Sequence, residues 1–152
     1  MKPTVWTEVD LHPEALARIE AKAEVITQAK FDDLPGADAA VIGGSTVDGA
    51  FMDKAGPNLK LVIRHGIGYN AVDVDAASSR DILAANTPDG PTESTAEHAV
   101  ALLMDIAKRV VMSDMYLRNN RPYTRPLLRG TEVYDHVLGV VGYGRIGRRV
   151  TE

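Results

Sequence analysis

Residues 59–87 read LKLVIRHGIGYNAVDVDAASSRDILAANT. The apolar run LKLVIRHG ends in a turn bracketed by Gly66 and Gly68. VDVDAASSRD follows as a short helix, and DILAANT returns as a second apolar run. Short apolar runs separated by a helix are the pattern of parallel strands buried on both faces. Toward the N-terminus the alternation continues. TVWTEV (4–9) reads as a strand. HPEALARIEAKAEV (12–25) reads as a helix, with Pro13 at its start and Leu16, Ile19 and Ala23 on one face. DAAVIGG (38–44) is a buried-type strand, and VDGAFMDKAG (47–56) a short helix ending at Gly56.

This alternation predicts an α/β fold, a parallel sheet with helices on both faces. The segment TPDGPTES (87–94), dense in turn residues, marks a boundary. Residues 1–93 are expected to form a compact flavodoxin-like unit, and residues 94–152 a second, incomplete one. The second opens with a long helix, expected from about Thr95 to about Leu117. Ser94 and Glu97 have the spacing of a capping box. Ala99, Leu102, Leu103, Ile106, Ala107 and Val110 form its apolar stripe. RNNRPYTRPLLRG (118–130) reads as an irregular basic arm, HVLGVVG (136–142) as a final strand, and RIGRRVTE (145–152) as the start of a helix.

Composition bounds the function. The chain has 152 residues and no cysteine, so it has no disulfide and no thiolate chemistry. No apolar run approaches the roughly 20 residues that span a bilayer, and no signal-peptide pattern opens the chain. A soluble, cytoplasmic protein is expected. Net charge is −4, unevenly placed. From Ile106 onward nine Lys/Arg face four Asp/Glu, while the preceding residues hold 8 against 17. A basic third suits a bound anion or a partner subunit. The scattered basic residues carry no nucleic-acid recognition motif.

The chain ends on GVVGYGRIGRRVTE (139–152). Gly142, Gly144 and Gly147 have the G-x-G-x-x-G spacing of a dinucleotide loop, between an expected strand and an expected helix. Gly142 would permit the tight turn, Gly144 the approach of a pyrophosphate, and Gly147 close packing of the helix on the sheet. The helix N-terminus and Arg145 would face the phosphates. Only 17 residues run from His136 to Glu152. The acidic residue expected about 20 positions on, which holds the ribose, is not among them. NAD therefore cannot be told from NADP.

Four stretches together resemble the NAD-dependent D-isomer-specific 2-hydroxyacid dehydrogenases: LKLVIRHGIGYNAVDVDAA (59–77), ILAANTP (82–88), STAEHAVALLM (94–104) and GTEVYDHVLGVVGYGRIGRRV (130–150). The resemblance implies a flavodoxin-like substrate domain followed by the start of a Rossmann nucleotide-binding domain. It implies that the backbone N–H groups of Ile67 and Gly68 hold a substrate carboxylate. The glycine-bracketed turn suits that role as an anion-binding nest. Arg64 would add charge, the alternative being an ion pair with Asp73. By the same resemblance Thr87 lies near the nicotinamide, and Arg145 and Ile146 contact the pyrophosphate.

The family's catalytic Arg, Glu and His match nothing in these 152 residues, so no catalytic residue and no metal ligand is assigned. His65, His98, His12 and His136 read as structural or surface residues. The expected function is the front part of an oxidoreductase moving a hydride between NAD and C2 of a small D-2-hydroxy or 2-keto acid. The chain alone is expected to be inactive, and a homodimer is expected through the helix and arm of residues 95–135. The competing reading is a short, non-catalytic binding or dimerisation module. A stand-alone flavodoxin-like regulator is disfavoured, because acidic residues do not cluster at the strand ends. Asn70, Asp81 and Pro91 depart from the family pattern, and the particular acid stays open between phosphoglycerate and glyoxylate or hydroxypyruvate types.

Overall fold

A computed structural model describes residues 2–119 and 125–152. The chain divides into two units, Met1–Gly90 and Pro91–Glu152.

The first unit is a five-stranded, all-parallel sheet. Strands β1 (Thr4–Thr7), β2 (Glu24–Ile26), β3 (Ala39–Ile42), β4 (Leu61–Arg64) and β5 (Leu83–Asn86) stand in the order β2-β1-β3-β4-β5. This is the flavodoxin-like order, and its direction of travel reverses between β1 and β3. Right-handed crossovers then place α1 (Pro13–Glu20) on one face and α2 (Gly49–Ala55) and α3 (Val74–Ser78) on the other. Trp6, Ala40, Val62 and Ala84 share the second face, because strand neighbours pair in register (Trp6 with Ala40, Ala40 with Val62, Val62 with Ala84). They pack in the core cluster with Phe51, Met52 and Ala55 of α2 and Ala77 of α3. The face of α1 is thinner, and Leu83 there is 66% exposed.

The helix expected over 12–25 ends at Glu20, and Glu24–Ile26 is instead the edge strand β2. Its pairing with Thr4–Trp6 overrides a helical apolar spacing that ran on to Ala23. The other helices close as their end residues dictate. Asp48 and Asp73 accept hydrogen bonds from Phe51 N and Ala76 N at the starts of α2 and α3, and Gly56 ends α2 at φ +92°. Beyond α3, Asp81 takes φ +54° where a glycine is the usual choice. Asp81→Gly is therefore expected to stabilise the unit by about 0.5–1 kcal/mol, raising its thermal midpoint. A lowered midpoint would show that the aspartate contributes a contact that outweighs its backbone cost.

The second unit holds α4 (Thr92–Lys108), α5 (Val110–Arg118), α6 (Arg125–Leu128) and α7 (Arg145–Val150). The single long helix is thus two, broken at Arg109, which is left-handed at φ 55°. In an unbroken helix Val111 N–H would donate to the Ala107 carbonyl. That carbonyl instead accepts from Thr131 N, at 2.6 Å, and Val111 N–H goes to the Asp105 carboxylate, at 2.8 Å. The capping box does not form. The helix starts earlier, at Thr92, and the Ser94 hydroxyl donates to the Pro91 carbonyl inside the first turn. Part of the expected basic arm, residues 120–124, lies outside the described residues, and residues 125–128 are a helical turn rather than irregular chain.

HVLGVVG is not a strand. No described segment pairs with it, and Val137 and Val141 stand fully exposed. An extended segment gains ladder hydrogen bonds only beside a neighbour. Among the described residues no helix is long and apolar enough to cross a membrane.

Candidate functional site

In an open parallel sheet, ligands bind beyond the carboxyl ends of the strands. Two of the segments that leave that end gather backbone N–H groups. The first follows β4. Gly66 sits at φ +143°, and a Cβ there would lie 3.1 Å from the Arg64 guanidinium. The end of β5 clamps this turn. Gly66 N–H donates to the Thr87 hydroxyl (2.8 Å), Thr87 N–H donates to the Gly66 carbonyl (3.0 Å), and the Asn86 amide donates to the Ile67 carbonyl (2.8 Å). With its carbonyl side tied down, the turn leaves the N–H groups of Ile67 and Gly68 without acceptors among the described residues. Nothing lies within 4 Å of a Cβ position on Gly68, so the approach is open. A cavity of about 270 Å³ opens beside it, lined by Tyr69, Val72, Val74, Ala84, Ala85 and Asn86.

Arg64 is half-buried and folds back to donate to the His65 carbonyl. It makes no ion pair with Asp73, whose carboxylate is occupied in capping α3. Thr87, expected at the nicotinamide end, is in the first instance a strut of the turn. Asn86 escaped the sequence reading altogether. Its only signal was its place beside Thr87 at a strand end.

The second turn follows β3 at the reversal point of the sheet. Glu8, just after β1, reaches across so that its Oε1 accepts from three successive N–H groups, those of Gly43, Gly44 (2.5 Å) and Ser45 (3.1 Å). Gly43 admits this approach because a Cβ there would stand 2.5 Å from Val9 Cγ1 and 3.2 Å from Glu8 Oε1. Partial burial pushes the Glu8 carboxyl up. Hydrogen bonds from the Ser45 side chain and the N–H groups of Ser45, Gly44 and Gly43 outweigh it, so the net shift is downward from the ordinary 4.5. A carboxyl with a depressed folded pKa stabilises above its unfolded value and loses that contribution as pH falls through the folded one. Unfolding of the first unit should therefore steepen as pH drops below 4.5, and Glu8→Gln should flatten that acid limb. Identical acid limbs in the two proteins would remove Glu8 from the account.

The glycine loop lies in the second unit. Gly142 is at φ +94°, a conformation that suits the tight turn. A Cβ on Gly147 would overlap the Gly142 carbonyl oxygen, and one on Gly144 would meet nothing within 4 Å. The close packing of Gly147 is thus against the loop's own start rather than a sheet. Gly144 precedes α7, and no side chain caps that end of the helix. Arg145 is exposed and Ile146 half-buried. Gly142, Gly144, Arg145, Ile146 and Gly147 form one cluster, and Arg64, Ile67, Gly68 and Thr87 another.

Of the histidines, His65 lies in the first turn itself, between Arg64 and Gly66, and its carbonyl accepts from Arg64. His12 Nδ1 accepts from Glu14 N at the start of α1, and His136 Nδ1 lies 2.9 Å from the Tyr134 carbonyl. His65 and His98 are exposed. Among the described residues no group of three His, Cys, Asp or Glu could hold a metal.

The sequence and fold have clear counterparts. Residues 5–145 match the model of the D-isomer specific 2-hydroxyacid dehydrogenase catalytic domain. D-3-phosphoglycerate dehydrogenase of Mycobacterium tuberculosis is 40% identical over 119 residues, covering 78% of this chain and 22% of that enzyme. Glyoxylate reductase of Korarchaeum cryptofilum is 33% identical, covering 99% of this chain and 49% of that enzyme. Among solved structures, a Thermus thermophilus protein superposes with a TM-score of 0.85 at 32% identity, over 97% of this chain and 51% of its own. The NADPH-dependent glyoxylate/hydroxypyruvate reductase of Sinorhizobium meliloti, solved with NADP and malonate, gives 0.74 at 26% identity, over 99% and 49%. The chain thus spans about half or less of the length of these relatives.

Proposed function

This chain belongs to the D-isomer specific 2-hydroxyacid dehydrogenases, and from that membership we propose that it supplies the substrate-binding half of an enzyme oxidising or reducing C2 of a small D-2-hydroxy or 2-keto acid. Residues 1–93 form the substrate domain, and residues 94–152 the start of the nucleotide-binding domain. The observation that carries this reading is the turn at Gly66–Gly68. Asn86 and Thr87 hold its carbonyl side, and two adjacent N–H groups, of Ile67 and Gly68, have no acceptors among the described residues. Paired N–H donors at a strand's carboxyl end fit the two oxygens of a carboxylate. Arg64 stands at the base of the turn and adds a positive charge.

A nicotinamide cofactor, NAD or NADP, would accept or supply the hydride. Gly142, Gly144, Gly147, Arg145 and Ile146 fit its pyrophosphate: the loop is tight at Gly142, open over Gly144, and leads into an uncapped helix end. Thr87 would face the nicotinamide end; its hydroxyl accepts from Gly66 and still has a proton to donate. A homodimer through residues 95–135 belongs to the same reading. Leu102, Ile106, Val111, Met115 and Leu117 are all exposed on α4 and α5, Ile106 at 77%.

No residue here is assigned to move the proton at the substrate oxygen, so the 152-residue chain by itself turns nothing over. The test is a titration of the ¹⁵N-labelled chain with D-glycerate. The Ile67 and Gly68 amide signals should shift and saturate, and NAD-dependent oxidation should stay undetectable. Unmoved Ile67 and Gly68 signals would refute the carboxylate site. Turnover would refute the half-enzyme assignment.

A further inference from the structure

The Gly43–Ser45 turn and the Gly66–Gly68 turn leave neighbouring strands at the same end of the sheet. Ile42 pairs with Arg64, and His65 N–H donates to the Ile42 carbonyl at 2.8 Å. Adjacent strands run about 4.8 Å apart, so an acid whose carboxylate sits at Ile67 and Gly68 and which extends across β4 toward β3 reaches residues 43–45. Three consecutive N–H groups on a strand-end turn are an anion cradle. In this protein the cradle is already filled, because all three donors converge on Glu8 Oε1. Gly43 shows that the filling is built in, since a side chain there would strike Val9 and Glu8.

We propose that Glu8 is a specificity-determining residue. Its carboxylate occupies the cradle beside the carboxylate-binding turn and closes it to anionic tails, so the acid bound here ends in a neutral group, a hydroxyl or a hydrogen, rather than a phosphate. This rests on the carboxylate reading of the Gly66–Gly68 turn. The cradle's donors are satisfied, and the carboxylate that satisfies them keeps a negative charge there. A phosphate at a separation of roughly 5 Å from it would be penalised by about tenfold or more in affinity per unit charge, at an effective dielectric midway between that of a protein surface and bulk water.

The experiment titrates the ¹⁵N-labelled 152-residue chain with D-glycerate, 3-phospho-D-glycerate and inorganic phosphate, as wild type, Glu8→Gln and Glu8→Ala. In the wild type, glycerate should move the Ile67 and Gly68 amides at about one-tenth the concentration that phosphoglycerate needs, and phosphate should leave the Gly43–Ser45 amides unmoved. Glu8→Gln keeps an oxygen for the three N–H groups but removes the charge, and should shrink that preference to about threefold or less. Glu8→Ala opens the cradle, so phosphate should now move the Gly43–Ser45 amides. A purely structural Glu8 would leave the ratio of the two acids unchanged in Glu8→Gln. That result, or equal affinity for both acids in the wild type, overturns the proposal. If neither acid moves Ile67 or Gly68 in any of the three proteins, the carboxylate reading of that turn fails. The cradle is then judged by inorganic phosphate alone: movement of Gly43–Ser45 in the wild type overturns its closure by Glu8, and movement only in Glu8→Ala supports it.

Discussion

Phe51→Ala is expected to remove a large part of the stability of residues 1–90. Phe51 is 3% exposed and meets Trp6 edge to face, with centroids 5.9 Å apart, and Phe31 at 5.6 Å. Truncating a buried phenylalanine costs about 3–5 kcal/mol in lost transfer energy and cavity. A unit of this size is stabilised by roughly 5–13 kcal/mol in all. The loss falls at one point, because the aromatic cluster joins β1, α2 and the turn before β3. Trp6 is the chain's one tryptophan and is buried, so its fluorescence reports the transition directly. In a denaturant melt the midpoint should fall steeply for Phe51→Ala, and much less for Phe51→Leu, which refills most of the volume. Equal midpoints for Phe51→Ala and the wild type would show that the core closes over the gap.

The second large effect is on the carboxylate site. Asn86→Ala with Thr87→Val removes the two side-chain hydrogen bonds that hold the Gly66–Gly68 turn while leaving the backbone bond from Thr87 N to the Gly66 carbonyl. Each lost bond is worth about 1 kcal/mol. The two together should weaken D-glycerate binding at Ile67 and Gly68 by about tenfold to thirtyfold, with little change in the thermal midpoint, since both residues sit at the end of an edge strand. The reading of β5's end as a clamp fails if affinity is retained, or if the midpoint drops in proportion.

Legibility in the sequence followed locality. The strands at 4–7, 39–42, 61–64 and 83–86 were visible because each is a short apolar run bounded by turn residues. β2 was not: three residues at an edge carry too little signal, and pairing with β1 decides their state. The break at Arg109 was invisible because Thr131, far along the chain, takes the Ala107 carbonyl. HVLGVVG had the composition of a strand, but composition supplies no neighbour.

The residues by themselves determined the α/β alternation, the family, the Gly66–Gly68 turn, the Gly142–Gly147 loop, and the absence of thiol chemistry. Each depends on side-chain type or on spacing within a few residues. Only the tertiary structure decided which strand ends become neighbours. Glu8 and Gly43 are 35 positions apart, and nothing in TEVD or IGGS announces the other. They meet because the order β2-β1-β3-β4-β5 sets β1 beside β3. That order follows from burying one common core under right-handed crossovers, a property of the whole sheet. The same ordering set Asn86 and Thr87 against Gly66 and turned a glycine-bracketed loop into a held pair of donors.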